Sequence, residues 1–212
     1  MLVVLLGPPG AGKGTQGERI AAALDVSKLA TGDVLRAAVK AGTRLGLEAK
    51  GFMDRGDLVP DAVILGIIKE ALAQPTYAKG AILDGVVRTV PQAEGLAAAT
   101  KELGTQVDVV LTFDIADDVL VERLSGRTTC DQTQKPFTGF RPGIPCPDGC
   151  GGMLVRRADD EPEAIRNRLR VYQAQTAPVL DWYVARGANV QHIDAVGAFD
   201  AVTARALAAV GR

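Results

Sequence analysis

The chain has 212 residues, 24 Lys and Arg against 25 Asp and Glu, and a hydrophobic fraction of 47%. That length fits one domain, or one domain with a small insertion, and the apolar content excludes wholesale disorder. A net charge of −1 argues against wrapping nucleic acid by bulk charge, and a single His excludes a multi-His metal site.

Leu2–Leu6 is an apolar run ending at Gly7 and reads as a buried strand. It lacks a basic leader and a cleavage site, so it is not read as a signal peptide, and no run reaches the roughly 20 apolar residues a membrane span needs. Further short strands are expected at Ser27–Leu29, Ala81–Leu83, Val107–Phe113 and Asn189–Ile193. Helical patterns lie between them at Gly14–Leu24, Gly32–Ala41, Asp61–Ala73, Pro91–Leu103, Ala116–Leu124 and Pro162–Arg186, with a last helix near Asp200. Pro91 and Pro162 sit where a first helical turn tolerates them. Continuous apolar strands alternating with helices imply an α/β fold with a parallel sheet covered on both faces. From Arg127 to Asp160 the helical period disappears, and all three Cys and four Pro fall there. That segment reads as an inserted lobe of turns and short strands. An odd Cys count excludes a simple disulfide scaffold and makes a reducing cytoplasm the expected compartment.

The strongest motif is Gly7-Pro8-Pro9-Gly10-Ala11-Gly12-Lys13-Gly14-Thr15. It follows a strand and opens a helix, the context of a phosphate-binding P-loop. Successive backbone N–H groups of such a loop turn inward onto phosphate oxygens, and the helix N-terminus adds partial positive charge. Lys13 is expected to reach the β- and γ-phosphates, with Thr15 at the Mg²⁺ edge.

Thr31-Gly32-Asp33-Val34-Leu35-Arg36, Asp57-Leu58-Val59-Pro60 and Asp84-Gly85-Val86-Val87-Arg88 follow in order, then Gln92, the lid arginines, and Arg157-Ala158-Asp159-Asp160. With these motifs the sequence resembles the adenylate kinase family along nearly its whole length. The resemblance implies a P-loop kinase with a central parallel sheet flanked by helices. It implies a core of residues 1–29, 60–125 and 161–212, an AMP-side helical flap of residues 30–59, and a lid of residues 126–160. It implies the reaction ATP + AMP ⇌ 2 ADP with Mg²⁺, in a cytoplasmic monomer that engages neither nucleic acid nor membrane.

The site residues follow from the same resemblance. Gly10, Ala11, Gly12, Lys13, Gly14, Thr15, Arg127, Pro136, Phe137 and Gly197 would bind ATP. Thr31, Arg36, Asp57, Leu58, Val59, Gly85, Val86, Val87, Arg88, Gln92, Arg157 and Arg168 would bind AMP. Lys13, Arg88, Arg123, Arg127, Arg157 and Arg168 would carry the transfer. Arg suits this work because its planar fork binds phosphate oxygens two at a time and stays charged. Arg156, Arg166 and Arg170 match no family position and read as surface charge. Asp84 ends a strand, and by resemblance holds Mg²⁺ through water. Gln92 offers a donor and an acceptor to adenine. His192 reads as structural or exposed.

Two departures stand out. The family has Phe-Pro where this chain has Val86-Val87. A cis bond before a non-proline costs about 2.5–4 kcal/mol, so a trans or strained bond is expected here, and weaker AMP binding with it. In the lid, Cys130-x2-Thr133 faces Cys146-x3-Cys150 where zinc-bearing relatives have four ligands. Two readings stand: a zinc site on Cys130, Cys146 and Cys150 with Asp131 or Asp148 as fourth ligand, or three Cys packed as small apolar residues. Other readings of the whole chain are a kinase for another nucleoside monophosphate, or a catalytically impaired nucleotide-binding homologue.

Overall fold

The structure is a computed structural model describing residues 1–212. Five parallel strands form the core sheet: β1 (Leu2–Leu6), β2 (Ser27–Ala30), β3 (Ala81–Asp84), β4 (Val109–Asp114) and, last in the chain, β8 (Val190–Asp194), in the order β2-β3-β1-β4-β8. Every residue of β1 is buried. Val4 and Leu6 pack on one face with Leu83, Leu96 and Val110, and Val3 and Leu5 on the other with Ile20, Leu111 and Phe113. Both faces are thus covered, as the unbroken apolar strands require.

Helices α1 (Lys13–Leu24), α2 (Thr31–Lys40), α3 (Arg44–Arg55), α4 (Asp61–Leu72), α5 (Val90–Glu102) and α6 (Asp117–Ser125) follow in chain order. Of these, α3 is absent from the sequence expectation. Its Gly46 and Gly51 weaken the helical pattern, and Gly46 is there for packing. A Cβ on Gly46 would lie 2.2 Å from the Ala38 carbonyl of α2.

Beyond α6 comes a small antiparallel sheet of β5 (Arg127–Cys130), β6 (Pro136–Thr138) and β7 (Leu154–Val155), with β5 in the middle. The single helix expected over Pro162–Arg186 is two: α7 (Pro162–Val171) and α8 (Ala177–Ala185), joined by one wide π-type turn at Tyr172–Thr176. Pro178 lacks an N–H and sits in the first turn of α8, which breaks the regular ladder. The wider turn lets the Thr176 hydroxyl donate to the Arg88 carbonyl at 2.8 Å. Helix α9 (Phe199–Ala209) closes the chain.

Parallel pairing places the carboxyl ends of the strands together, where ligands bind in open α/β sheets. Leu5 of β1 is in register with Asp84 of β3, so the loop after β1 opens beside Asp84.

Candidate functional site

The loop from Gly7 to Gly12 uses left-handed backbone that side chains resist. Gly7 has φ +133°, and a Cβ there would meet the Phe113 carbonyl at 2.9 Å; Gly12 has φ +91°. Helix α1 then begins with no side-chain cap and no acidic residue in its first turn, which leaves its N–H groups to an anion. Lys13 Nζ meanwhile donates to the carbonyls of Gly7 and Pro8, at 2.6 and 2.8 Å. Burial lowers the Lys13 pKa to about 8; Asp84 opposes this, and Arg88, Arg168 and Arg127 add to it.

A cleft of about 630 Å³ runs from this loop under the small sheet. Eight basic side chains line it against three acidic ones, Glu18, Asp33 and Asp84. The balanced net charge of the chain therefore conceals a strongly positive cleft. Gly10, Ala11, Gly12, Lys13, Gly14, Thr15, Asp84, Val87, Pro136, Phe137 and Gly197 all border it, as do Arg36, Arg88, Arg123, Arg127, Arg157 and Arg168. A smaller pocket of about 80 Å³ adjoins it, lined by Thr31, Arg36, Asp57, Leu58, Val59, Gly85, Arg88, Gln92 and Arg168.

The arginines are held by acids and carbonyls. Asp160 is buried and grips Arg127, and its Oδ1 also accepts from Arg168 at 3.0 Å. Arg168 also donates to the Asp159 carbonyl at 2.8 Å, Arg157 to the Gln134 carbonyl at 3.1 Å, and Arg123 to the Ala195 carbonyl at 3.1 Å. Arg36 pairs with Asp33, and Arg88 Nε donates to the Gly85 carbonyl at 3.3 Å. The Nε atoms of Arg36 and Arg157 are buried and have no partner. Burial is the first cause that lowers the pKa of Arg88, Arg157 and Arg168, with Arg157 at about 10. The next cause is crowding by another guanidinium for Arg88 (Arg168) and for Arg157 (Arg36). Burial alone would raise Asp159, but Arg168, Arg127, Arg157 and Arg36 outweigh it and hold that carboxyl below its ordinary value. An arrangement this crowded with cations is relieved by a polyanion.

At the smaller pocket, the Thr31 hydroxyl donates to the Gly85 carbonyl at 2.7 Å. Gln92 is buried, not exposed. Its Oε1 accepts the Arg88 N–H at 2.7 Å and its Nε2 donates to Asp61 Oδ1 at 2.8 Å.

Two expected positions differ. Val86 is fully buried in the core and borders neither cavity, whereas Val87 borders the larger one. The Asp57 carboxylate turns away to Asn167 Nδ2 and Arg55 Nε, at 2.7 and 3.0 Å, and only edges the pocket. All peptide bonds are trans, including the one before Val87.

In the small sheet, the sulfurs of Cys130, Cys146 and Cys150 lie within 4.8 Å of one another, with Cys130 and Cys150 at 3.3 Å. Neither nearby carboxylate joins them. Asp131 Oδ1 accepts the Met153 N–H at 2.9 Å, and Asp148 Oδ2 pairs with Lys135 at 2.6 Å. Thr133 serves Cys130 as a donor. Hydrogen bonds from its side chain and then its N–H lower the Cys130 pKa to about 6, whereas burial raises Cys146 to about 11. His192 is exposed, with Nδ1 2.8 Å from Asp114 Oδ2, outside the cleft.

The sequence alone assigns no role to Asp61 or Gln134, and shows Asp159 and Asp160 only as part of a motif. Two adjacent acids following the lid arginines were the one readable signal among these.

A phosphate-cradling loop, a strand-end Asp and a ring of arginines across two adjoining cavities define a P-loop kinase that works between two nucleotides. A family model described as adenylate kinase matches residues 5–188. The chain is 64% identical over 211 residues to an adenylate kinase of Gemmatimonas aurantiaca, covering 99% of each. It is 50% identical to one of Methanothrix thermoacetophila over 88% of each chain, and 44% identical to one of Syntrophobacter fumaroxidans over the full length of both. The chain belongs to the adenylate kinase family.

Proposed function

We propose that the chain transfers a phosphoryl group reversibly from ATP to AMP, giving two ADP. The observation that carries this is one positive cleft with a P-loop at one end and, at the other, a pocket where Gln92 keeps groups that suit adenine. Gln92 has spent one of two amide N–H donors on Asp61 and one of two Oε1 lone pairs on the Arg88 N–H. One donor and one acceptor remain, side by side. Adenine offers the matching ring nitrogen and amine, whereas guanine presents a ring N–H and a carbonyl there.

Phosphoryl transfer asks mainly for positioning and positive charge. Lys13 exchanges the carbonyls of Gly7 and Pro8 for phosphate oxygens of ATP. Arg36 and Arg88 hold the phosphate of AMP, and Arg123, Arg127, Arg157 and Arg168 surround the group in flight. Asp159 and Asp160 aim these arginines. Pro136, Phe137 and Gly197 flank the ATP base, and Leu58, Val59 and Gly85 the AMP base. Closure of the flap (30–59) and lid (126–160) on the core excludes water, so the phosphoryl group reaches AMP rather than being hydrolysed.

Thr15 and, through water, Asp84 would hold the Mg²⁺ that accompanies ATP and neutralises phosphate charge. The space fits: Asp84 Oδ2 faces Gly14, where a Cβ would come within 3.4 Å of it. In the lid, Cys130, Cys146 and Cys150 would hold Zn²⁺, which supplies order and no chemistry. Three thiols whose sulfurs lie within 4.8 Å of one another suit such an ion. Metal content after purification without added zinc, with a chelator control, tests that assignment. One chain carries every group named, which supports a monomer, and three free thiols suit the cytoplasm.

The test of the reaction is ADP formation from ATP, Mg²⁺ and a panel of acceptors. AMP is expected to be used, and GMP, CMP and UMP at most weakly. No ADP from AMP refutes the proposal.

A further inference from the structure

Arg88 stands on the short loop between β3 and α5, so no helix or strand ladder fixes its backbone. The direction in which such a residue points is set by its two flanking peptide planes, which turn only about φ and ψ. The plane before the Arg88 Cα carries its N–H, which Gln92 Oε1 accepts at 2.7 Å. The plane after it carries the Arg88 carbonyl. That carbonyl accepts the Thr176 hydroxyl at 2.8 Å, from 88 positions along the chain.

Thr176 reaches it from the π-type turn between α7 and α8. In a regular helix a Thr hydroxyl commonly bonds back to the carbonyl four residues earlier. For Thr176 that carbonyl belongs to Tyr172, and it already accepts the Ala177 N–H, five residues on. The Thr176 hydroxyl is thereby free to leave its own helix for Arg88. Single wide turns of this kind recur at functional sites. Thr176 is buried, at 8% exposed, yet both it and Arg88 border the cleft. A buried hydroxyl and a carbonyl that satisfy each other are costly to separate, which makes the bond a firm support.

We infer that Thr176 is a positioning residue for phosphoryl transfer: it holds the carbonyl side of Arg88 so that the guanidinium faces the phosphate of AMP. The inference deepens the proposed reaction and rests on its assignment of Arg88 to that phosphate. The Thr176 hydroxyl is committed to Arg88, so it acts through that arginine. The irregular turn between α7 and α8 then serves the site: it delivers a hydroxyl that an unbroken helix would keep for itself.

Thr176→Val keeps the volume and removes the hydroxyl. Its kcat/KM for AMP is expected to fall at least about tenfold, with KM for ATP within about twofold of the parent. Adenosine carries the base and sugar of AMP without the phosphate, so its inhibition constant against AMP should not change. A general loosening of the pocket would weaken adenosine and AMP alike. Thr176→Ser, which keeps the hydroxyl, should recover the parental kcat/KM. Thr176→Ala carries the same expectation as the Val variant if circular dichroism shows the latter unfolded. Calorimetry with AMP alone reads the aim of Arg88 without turnover. A parent that binds AMP but forms no ADP therefore refutes the reaction and not the positioning. Parental AMP affinity in the folded Val or Ala variant overturns the inference. So does a Ser variant as impaired as the Val one, or an adenosine constant that rises in step with that for AMP.

Discussion

Asp160 holds Arg127 through both carboxylate oxygens: Nε donates to Oδ2 at 2.8 Å and a terminal nitrogen to Oδ1 at 2.5 Å. The acid is 1% exposed and also takes Arg168. Removing one partner of a buried pair strands the others, at a cost of about 3–5 kcal/mol. Asp160→Ala is therefore expected to lose stability of that order in urea unfolding. Its kcat should fall at least about tenfold, since a guanidinium out of aim by an ångström stabilises little. A variant with parental stability and turnover would show that Asp160 aims nothing.

Lys13 gives a pH dependence with a definite sign. Its pKa in the folded chain is about 8 against an ordinary 10.5, because burial disfavours the charged form. Between those values the unfolded chain binds this proton and the folded chain does not, so stability rises with pH across the window. The penalty is full below pH 8 and gone above about pH 10.5. The stability of Lys13→Met relative to the parent should accordingly shrink between pH 7 and pH 10 in urea titrations. ATP affinity should fall over the same window, as the ammonium that meets the phosphates is lost. A flat profile in both measurements contradicts the assigned pKa.

Arg88 is anchored at three places by its own main chain and side chain: Gly85, Gln92 and Thr176. Arg88→Ala is expected to abolish transfer by at least about 100-fold while the circular dichroism spectrum stays that of the parent, because the main-chain contacts survive. Measurable turnover near the parental rate would remove Arg88 from the reaction.

Val86 alters what the missing Phe-Pro pair implies. With its side chain fully buried, Val86→Phe adds volume to a packed core rather than a wall to the AMP pocket. The variant should lose about 1–3 kcal/mol of stability and show no gain in AMP affinity. A lower KM for AMP in Val86→Phe would return this position to the binding site.

These residues also show which features a sequence discloses. The P-loop was legible because its glycines and Lys13 sit at fixed spacing between a strand and a helix. The sheet was legible because its strands are apolar throughout. Helix α3 was hidden by Gly46, which the close crossing with α2 demands and which weakens the helical pattern. The break at Tyr172–Thr176 was hidden because Pro178 reads equally well as a first-turn proline or an interruption. Asp61 and Asp160 take their roles from partners far along the chain, Gln92 and Arg127 respectively. Nothing in local spacing announces such partners.

One hydrogen bond crosses between the proposed flap and lid without passing through the core: Lys40, at the end of α2, donates to the Asp131 carbonyl at 3.1 Å. Asp131 is itself fixed by Met153 beside the cysteine cluster. The two segments are thereby stitched together at the surface, and any displacement of one relative to the other must first break this bond.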